Sequence, residues 1–157
     1  MKIEKYTERY HEEVVALILR IQQKEFNVPI SLSDQPDLMD IGNFYADGGF
    51  WIARDGDTVV GTIATWFIDG PNATIRKLFT DENYRGKEYQ TGQRLLETLE
   101  EFCAQNGKSH IFLGTTDKFK AAHRFYEKNG YIEISKADLP ADFDILDVDS
   151  KFYHKAL

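Results

Sequence analysis

The apolar positions of this chain change period several times, and each change marks an element. A short strand is expected near Lys2–Tyr6. From about Glu8 to Lys24, Val14, Leu17, Ile18 and Ile21 recur at i, i+3, i+4 and i+7, one apolar face of a helix. Thr7 stands where an N-cap is wanted. A second helical piece is expected from Ser33 or Asp34 to about Ala46, with Pro36 accommodated in its first turn. Strand chemistry follows. Phe50–Arg54 and Val59–Ile68 flank Asp55-Gly56-Asp57, a hairpin turn, and Asp69-Gly70-Pro71-Asn72 turns the chain into a strand over Ala73–Thr80. These predict a meander of antiparallel strands.

The helical period returns from about Gln90 to Gln105, where Leu95, Leu96, Leu99, Phe102 and Cys103 form a stripe that stops at Asn106-Gly107. His110–Thr115 is a short apolar run suited to a buried strand. A helix over Lys118–Lys128 ends at Asn129-Gly130, and Tyr131–Ile134 and Ser150–Lys155 are the last strands. The strand at 73–80 reaches the strand at 110–115 through a helix, so the two should run parallel by a right-handed crossover. The predicted class is α/β (α+β), with a mixed, mostly antiparallel central sheet flanked by helices. No linker divides the chain, and residues 1–157 are expected to form a single domain.

Composition narrows the function. Hydrophobic residues at 42% and charged residues at 29% exclude wholesale disorder. A net charge of −7 argues against a nucleic-acid partner, because phosphate contacts need clustered cations. No stretch approaches the ~20 apolar residues of a membrane span, and Met1–Tyr6 lacks a signal-peptide core. A cytoplasmic protein with no membrane partner is expected. The lone Cys103 cannot form an internal disulfide and falls on an apolar stripe, so it is read as core. His11, His110, His123 and His154 show no metal-ligand spacing, and no metal is expected.

Chemistry concentrates between Asn83 and Arg94, where Gly86, Gly92 and loop cations lead into an amphipathic helix. Backbone N–H groups at a helix start bind anions such as phosphate. From Thr74 to Arg94, five basic residues (Arg76, Lys77, Arg85, Lys87, Arg94) stand against three acidic ones (Asp81, Glu82, Glu88), a local surplus of +2. A Walker A loop is absent, since Gly86-Lys87 is followed by Glu88, and no Gly-x-Gly-x-x-Gly fingerprint occurs.

A second constellation, Ala122-His123-Arg124-Phe125-Tyr126-Glu127-Lys128-Asn129-Gly130-Tyr131, completes a pattern. Together with Leu78-Phe79-Thr80, Tyr84-Arg85-Gly86-Lys87 and Leu95-Leu96, it resembles the GNAT family, the N-acetyltransferases related to Gcn5. The resemblance extends over nearly the whole chain. It implies the GNAT fold, in which the sheet splays at its parallel strand pair. It further implies that acetyl-CoA, the acyl donor, lies against the open main chain of Leu78, Phe79 and Thr80. The diphosphate would rest on Arg85, Gly86, Lys87, Gln90, Thr91 and Gly92, with Ala122 and Phe125 against the cofactor. A strand N–H would stabilise the oxyanion while the amine attacks directly. Tyr126 matches the position whose phenol protonates the departing thiolate.

This sequence departs from the pattern in several places. Glu88 falls where a glycine is common, the loop reads as longer than usual, and Glu88 is expected to point away from the phosphates. Phe119 replaces a common Asn. Thr74 stands where a strand carboxylate base is sometimes found, leaving the base unassigned among Asp81, Glu82 and ordered water. The acidic run Asp138–Asp149 holds five aspartates and no basic residue, which ordinarily marks a solvated loop; in this family the segment borders the acceptor side, so it suggests a preference for cationic amines, through Asp142 and Asp144. The expected function is an acetyl-CoA-dependent N-acetyltransferase acting on a small-molecule or peptide amine in a ternary complex. The rival is a non-catalytic acyl-CoA sensor or partner-binding module on the same fold. A homodimer is left open.

Overall fold

The computed structural model describes residues 1–157. Strand β1 (Lys2–Lys5) leads through a 3-10 turn at Glu8–Tyr10 into helix α1 (His11–Leu19), which continues over Arg20–Glu25 as a wider π-type segment. Thr7 has extended N-cap dihedrals, but its side chain caps nothing. The helix expected from Ser33 to Ala46 is instead broken into 3-10 turns at Leu32–Asp34 and Pro36–Met39 and a short helix α2 (Ile41–Phe44). Pro36, Gly42 and the short polar residues Ser33, Asp34, Asp37, Asp40 and Asn43 fall in this stretch and do not sustain a helical ladder.

Strands β2 (Gly49–Asp55) and β3 (Thr58–Thr65) form the hairpin around Gly56, whose φ of +59° meets the turn's demand for a left-handed residue. Both faces of this hairpin are covered. Phe50, Ile52, Val59 and Ala64 pack with Val14, Leu17, Ile18 and Ile21 of the first helical segment. Trp51, Ala53, Val60 and Ile63 pack with Leu95, Leu96, Leu99 and Cys103 of helix α3 (Thr91–Gln105). Burial on two sides explains why these strands read as nearly continuous apolar runs.

The strand predicted over Ala73–Thr80 is two strands, and this is the feature that makes the site. β4 (Asn72–Thr74) runs parallel to β6 (His110–Thr115), with Asn72 opposite His110 and Thr74 opposite Phe112. β5 (Arg76–Thr80) runs antiparallel to β3. The result is a pair of four-stranded sheets, ordered β1-β2-β3-β5 and β4-β6-β8-β7, with β7 at Ile132–Ile134 and β8 at Lys151–Ala156. The parallel pair thus opens within a few residues. Ile75 N–H still donates to the Phe112 carbonyl at 3.0 Å, and beyond it β6 pairs only with β8.

Lys77 marks the divergence. The register slips between Thr62 and Ala64, and Lys77 takes a φ of +54°, the signature of a bulge. Helix α4 (Lys120–Lys128) then packs Tyr126 into the main core and stops at Gly130, φ +89°. No helix is long and apolar enough to cross a membrane.

Candidate active site

The opening between β5 and β6 is a cavity of about 780 Å³. Leu78, Phe79, Thr80, Arg85, Gly86, Lys87, Gln90, Thr91, Gly92, Ala122, Phe125 and Tyr126 all line it. Residues separated by as much as a helix in sequence therefore share one wall. Glu88 is exposed and is not among the lining residues.

Main chain supplies much of its polarity. Asp81 N–H donates to the Val60 carbonyl at 2.8 Å, and Phe79 stands opposite Thr62. Because hydrogen-bonding direction alternates along a strand, Leu78 and Thr80 turn their N–H and C=O groups away from β3, towards the cavity. Apart from the Thr80 carbonyl, which accepts the Arg85 Nε–H, this edge of β5 is an extended template for an amide-bearing chain.

At its far end lies the start of α3. Gly86 (φ +108°) and Gln90 (φ +52°) bend the loop back on itself, and Gln90 Nε2 donates to the Lys87 carbonyl at 2.8 Å. Gln90, expected to open the helix, is the left-handed residue just before it; the long loop needs this reversal to feed Thr91 onto the helix axis. Thr91 is fixed by its hydroxyl, which donates to the Tyr84 carbonyl at 2.9 Å. Gly61 completes the seating: a Cβ there would stand 3.0 Å from both Leu95 Cδ1 and Thr91 Cγ2. The first-turn N–H groups of Thr91, Gly92 and Gln93 donate to no carbonyl in the protein. They are an anion site of main-chain donors.

The side-chain cations are distributed differently from their sequence clustering. Arg85 pairs with Glu25, Nη2 to Oε1 at 2.9 Å, and its Nε donates to the Thr80 carbonyl at 2.8 Å. It holds the loop to the end of the first helical segment, with its guanidinium over Phe26. Arg76 and Lys77 lie at the opposite end of the cavity. Arg76 reaches Asp144 at 3.5 Å and stacks on Trp66 and Phe44. Lys77 Nζ donates to Gln35 Oε1 at 2.6 Å and lies 3.6 Å from Asp37, both buried. Burial pulls the Lys77 ammonium down to about 8, against the attraction of Asp37. Of the loop cations, Lys87 alone has neither an ion pair nor a side-chain hydrogen bond. The anion site therefore rests on backbone more than on the expected cationic cluster.

Tyr126 is buried, yet its hydroxyl makes no hydrogen bond within the protein. No buried side-chain polar atom lacks a partner, so this oxygen reaches the cavity. Burial, helped by neighbouring Tyr153, pushes the phenol well above its ordinary value and keeps it protonated. His123 Nε2, hydrogen-bonded to the Thr116 carbonyl at 2.9 Å, anchors α4 beside β6. Cys103 is buried core, its thiol pushed up to about 11 by burial.

The carboxylates considered as bases lie outside the cavity lining. Asp81 accepts the Asn83 N–H at 2.9 Å and pairs with Arg20 at 2.7 Å, and neither it nor Glu82 lines the cavity. Thr74 exchanges hydrogen bonds with the Trp66 backbone. In the acidic run, Asp142 accepts the Asp69 N–H at 2.8 Å and does not line the cavity, while Asp144 lines it and meets Arg76 at 3.5 Å. Asp149 does line the cavity.

Sequence reasoning also missed the aromatic clasp across the cleft. Phe119, before α4, meets Phe26 edge-on at 4.9 Å and Phe79 at 6.1 Å. Lys118 Nζ donates to the Asn27 carbonyl at 2.6 Å beside it. An Asn at position 119 would offer a polar group here; Phe119 closes an apolar wall instead.

This architecture is shared. An acetyltransferase of the GNAT family from Staphylococcus aureus Mu50 superimposes with a TM-score of 0.95 at 39% identity, covering 99% of this chain and 98% of that one. PaiA N-acetyltransferase from Thermoplasma acidophilum, solved in complex with coenzyme A, has the same fold at 18% identity, with a TM-score of 0.79 and coverage of 99% and 98%. N-acetylaspartate synthetase from Xenopus tropicalis is 36% identical over 101 residues, 60% of this chain and 36% of that protein. The chain thus spans little more than a third of the curated relatives named for that activity. The family model described as Acetyltransferase (GNAT) family matches residues 15–131. With that match over most of its length, and the splayed strand pair in place, the chain belongs to the GNAT acetyltransferase family.

Proposed function

We propose that this protein transfers the acetyl group of acetyl-CoA to the primary amine of a small-molecule or peptide acceptor, by direct attack within a ternary complex. One observation carries the reading: the open edge of β5 at Leu78 and Thr80 runs towards the unpaired N–H groups of Thr91, Gly92 and Gln93. An amide-bearing arm ending in a diphosphate matches both halves of that surface.

Acetyl-CoA supplies an acyl group already activated as a thioester. In this reading Leu78 and Thr80 pair with its amides, and Thr91 and Gly92 hold its phosphates with Lys87 alongside. Gly86 and Gln90 shape the loop, Arg85 braces it through Glu25, and Ala122 and Phe125 form the wall opposite Phe79. Main-chain N–H groups at the β5 bulge face the charge that develops on the acyl oxygen. Tyr126 gives its proton to the departing sulfur. The acceptor enters from the end lined by Val28, Ile30, Arg76, Phe143 and Leu146. Because the curated relatives are named for N-acetylaspartate synthesis, L-aspartate belongs among the first amines tried.

Calorimetry with coenzyme A, followed by thiol release from acetyl-CoA with L-aspartate, spermidine and a lysine-containing peptide, tests the proposal. Saturable binding with amine-dependent thiol release is expected. Tight binding without turnover on any amine would favour an acyl-CoA sensor.

A further inference from the structure

The acceptor half of the cavity contains a carboxylate, Asp149, that forms no ion pair. Asp149 Oδ2 accepts the Leu146 N–H at 3.0 Å and lies against Gly114 of β6, where a Cβ would stand 2.7 Å from it. The next residue, Ser150, donates its N–H to the Thr115 carbonyl at 2.9 Å, tying this loop to the β6 wall. Oδ1 has no partner in the protein and is not enclosed, since no buried side-chain polar atom is unsatisfied, and Asp149 lines the cavity. Arg76 and Lys77 face Asp149 from β5 but are committed to Asp144 and Asp37. Asp144 faces it from the same loop, while β6 and β8 contribute Gly114 and Phe152, which do not titrate.

We infer that Asp149 is the general base, taking the proton from the ammonium group of the acceptor. The assignment rests on the acetyl-CoA-dependent reading of the cavity. An alkyl amine is an ammonium ion at neutral pH and has no lone pair until a proton leaves. Asp149 takes that proton through Oδ1, and the electron pair of the broken N–H bond stays on nitrogen. The nitrogen then forms the N–C bond as the C–S bond breaks with its electrons on sulfur. Tyr126 supplies a proton to sulfur and regains one from the new amide nitrogen, and Asp149 later releases its own to water. One proton per turnover reaches solvent, so the sum balances. Burial, together with neighbouring Asp144, raises the Asp149 carboxyl despite the Leu146 N–H and the two cations, which makes it a better proton acceptor than an exposed aspartate.

The test compares the wild type and Asp149→Asn, which retains an acceptor for the Leu146 N–H. Thiol release is followed with the amine that turns over fastest among L-aspartate, spermidine and the lysine peptide, and with hydroxylamine, which is largely unprotonated at neutral pH. For the ammonium acceptor, kcat/KM should fall about 100-fold, as removal of a general base does. With hydroxylamine it should change little, and coenzyme A affinity should be retained. Carbon-13 NMR of the wild type should show the Asp149 carboxyl titrating above the ordinary ~3.9. Equal losses on both nucleophiles, unchanged kcat/KM, or an NMR midpoint at or below the ordinary value would each overturn the assignment while the acetyltransferase reading stands. No amine-dependent release by the wild type would remove both.

Discussion

The Thr62 hydroxyl donates to the carbonyl of Lys77 across 2.7 Å, at the residue of β5 whose φ is positive. A non-glycine residue in this region is strained by about 1–2 kcal/mol, so it persists only when its surroundings hold it. Thr62 holds the backbone, while Gln35 and Asp37 hold the side chain. Replacing Thr62 with Val keeps the shape and leaves a buried carbonyl unpaired. Thr62→Val should lower unfolding free energy by about 1–3 kcal/mol in urea titrations. Coenzyme A binding should weaken with it, because the bulge turns β5 from β6.

Lys77 and Asp37 form a buried ion pair, with side chains 4% and 2% exposed. Tyr45 adds a hydroxyl donor to the same carboxylate at 2.6 Å. Removing one charge strands the other. Lys77→Met should therefore destabilise the fold by about 3–5 kcal/mol. The double variant Lys77→Met, Asp37→Leu should recover much of that loss. A single variant as stable as the wild type would mean that the pair contributes nothing to stability.

Asp149 gives a pH dependence of definite sign. Its folded pKa is raised, so between the unfolded and folded values the folded chain binds more protons. Stability then falls as pH rises through that interval. The penalty is absent below the unfolded value, near ~3.9, and complete above the folded one. Asp149→Asn removes it. The variant should melt at a higher temperature than the wild type at pH 7, with the advantage shrinking towards pH 4, as is common when a functional group is removed. A lower melting temperature at every pH would contradict this.

Tyr126→Phe removes a hydroxyl that bonds to nothing in the protein, so the fold should be little affected. In the proposed reaction it removes the proton donor to sulfur. Turnover should drop about 100-fold, within the range for general-acid loss, with coenzyme A affinity unchanged. Isothermal calorimetry and steady-state rates separate the two effects. Full activity in the variant would strip Tyr126 of its role.

Much of this was legible in the sequence. The stripes Val14–Ile21 and Leu95–Cys103 gave helix faces that pack on opposite sides of the β2–β3 hairpin. Thr80, Arg85, Gln90 and Gly92 line one cavity with Ala122, Phe125 and Tyr126. The split at Ile75 was not legible. Arg76-Lys77 puts two charged residues in succession, but one break in period is too little to divide a strand, and Lys is not a residue that favours a left-handed φ. Arg76 and Lys77 were counted towards the phosphate end because sequence clustering does not reveal which way a bulge turns them. Asp149 was hidden in a run of aspartates that reads as solvated. A signal did exist: Gly114, inside an apolar strand, marks a place where another group comes close. Here that group is the Asp149 carboxylate.

A crystal structure grown with coenzyme A tests the central assignment most directly. The pantetheine amides should pair with Leu78 and Thr80 along β5, and the diphosphate should meet the N–H groups of Thr91 and Gly92, with Glu88 turned outward. Coenzyme A bound elsewhere, with β5 and β6 joined and the cavity between them closed, would contradict it.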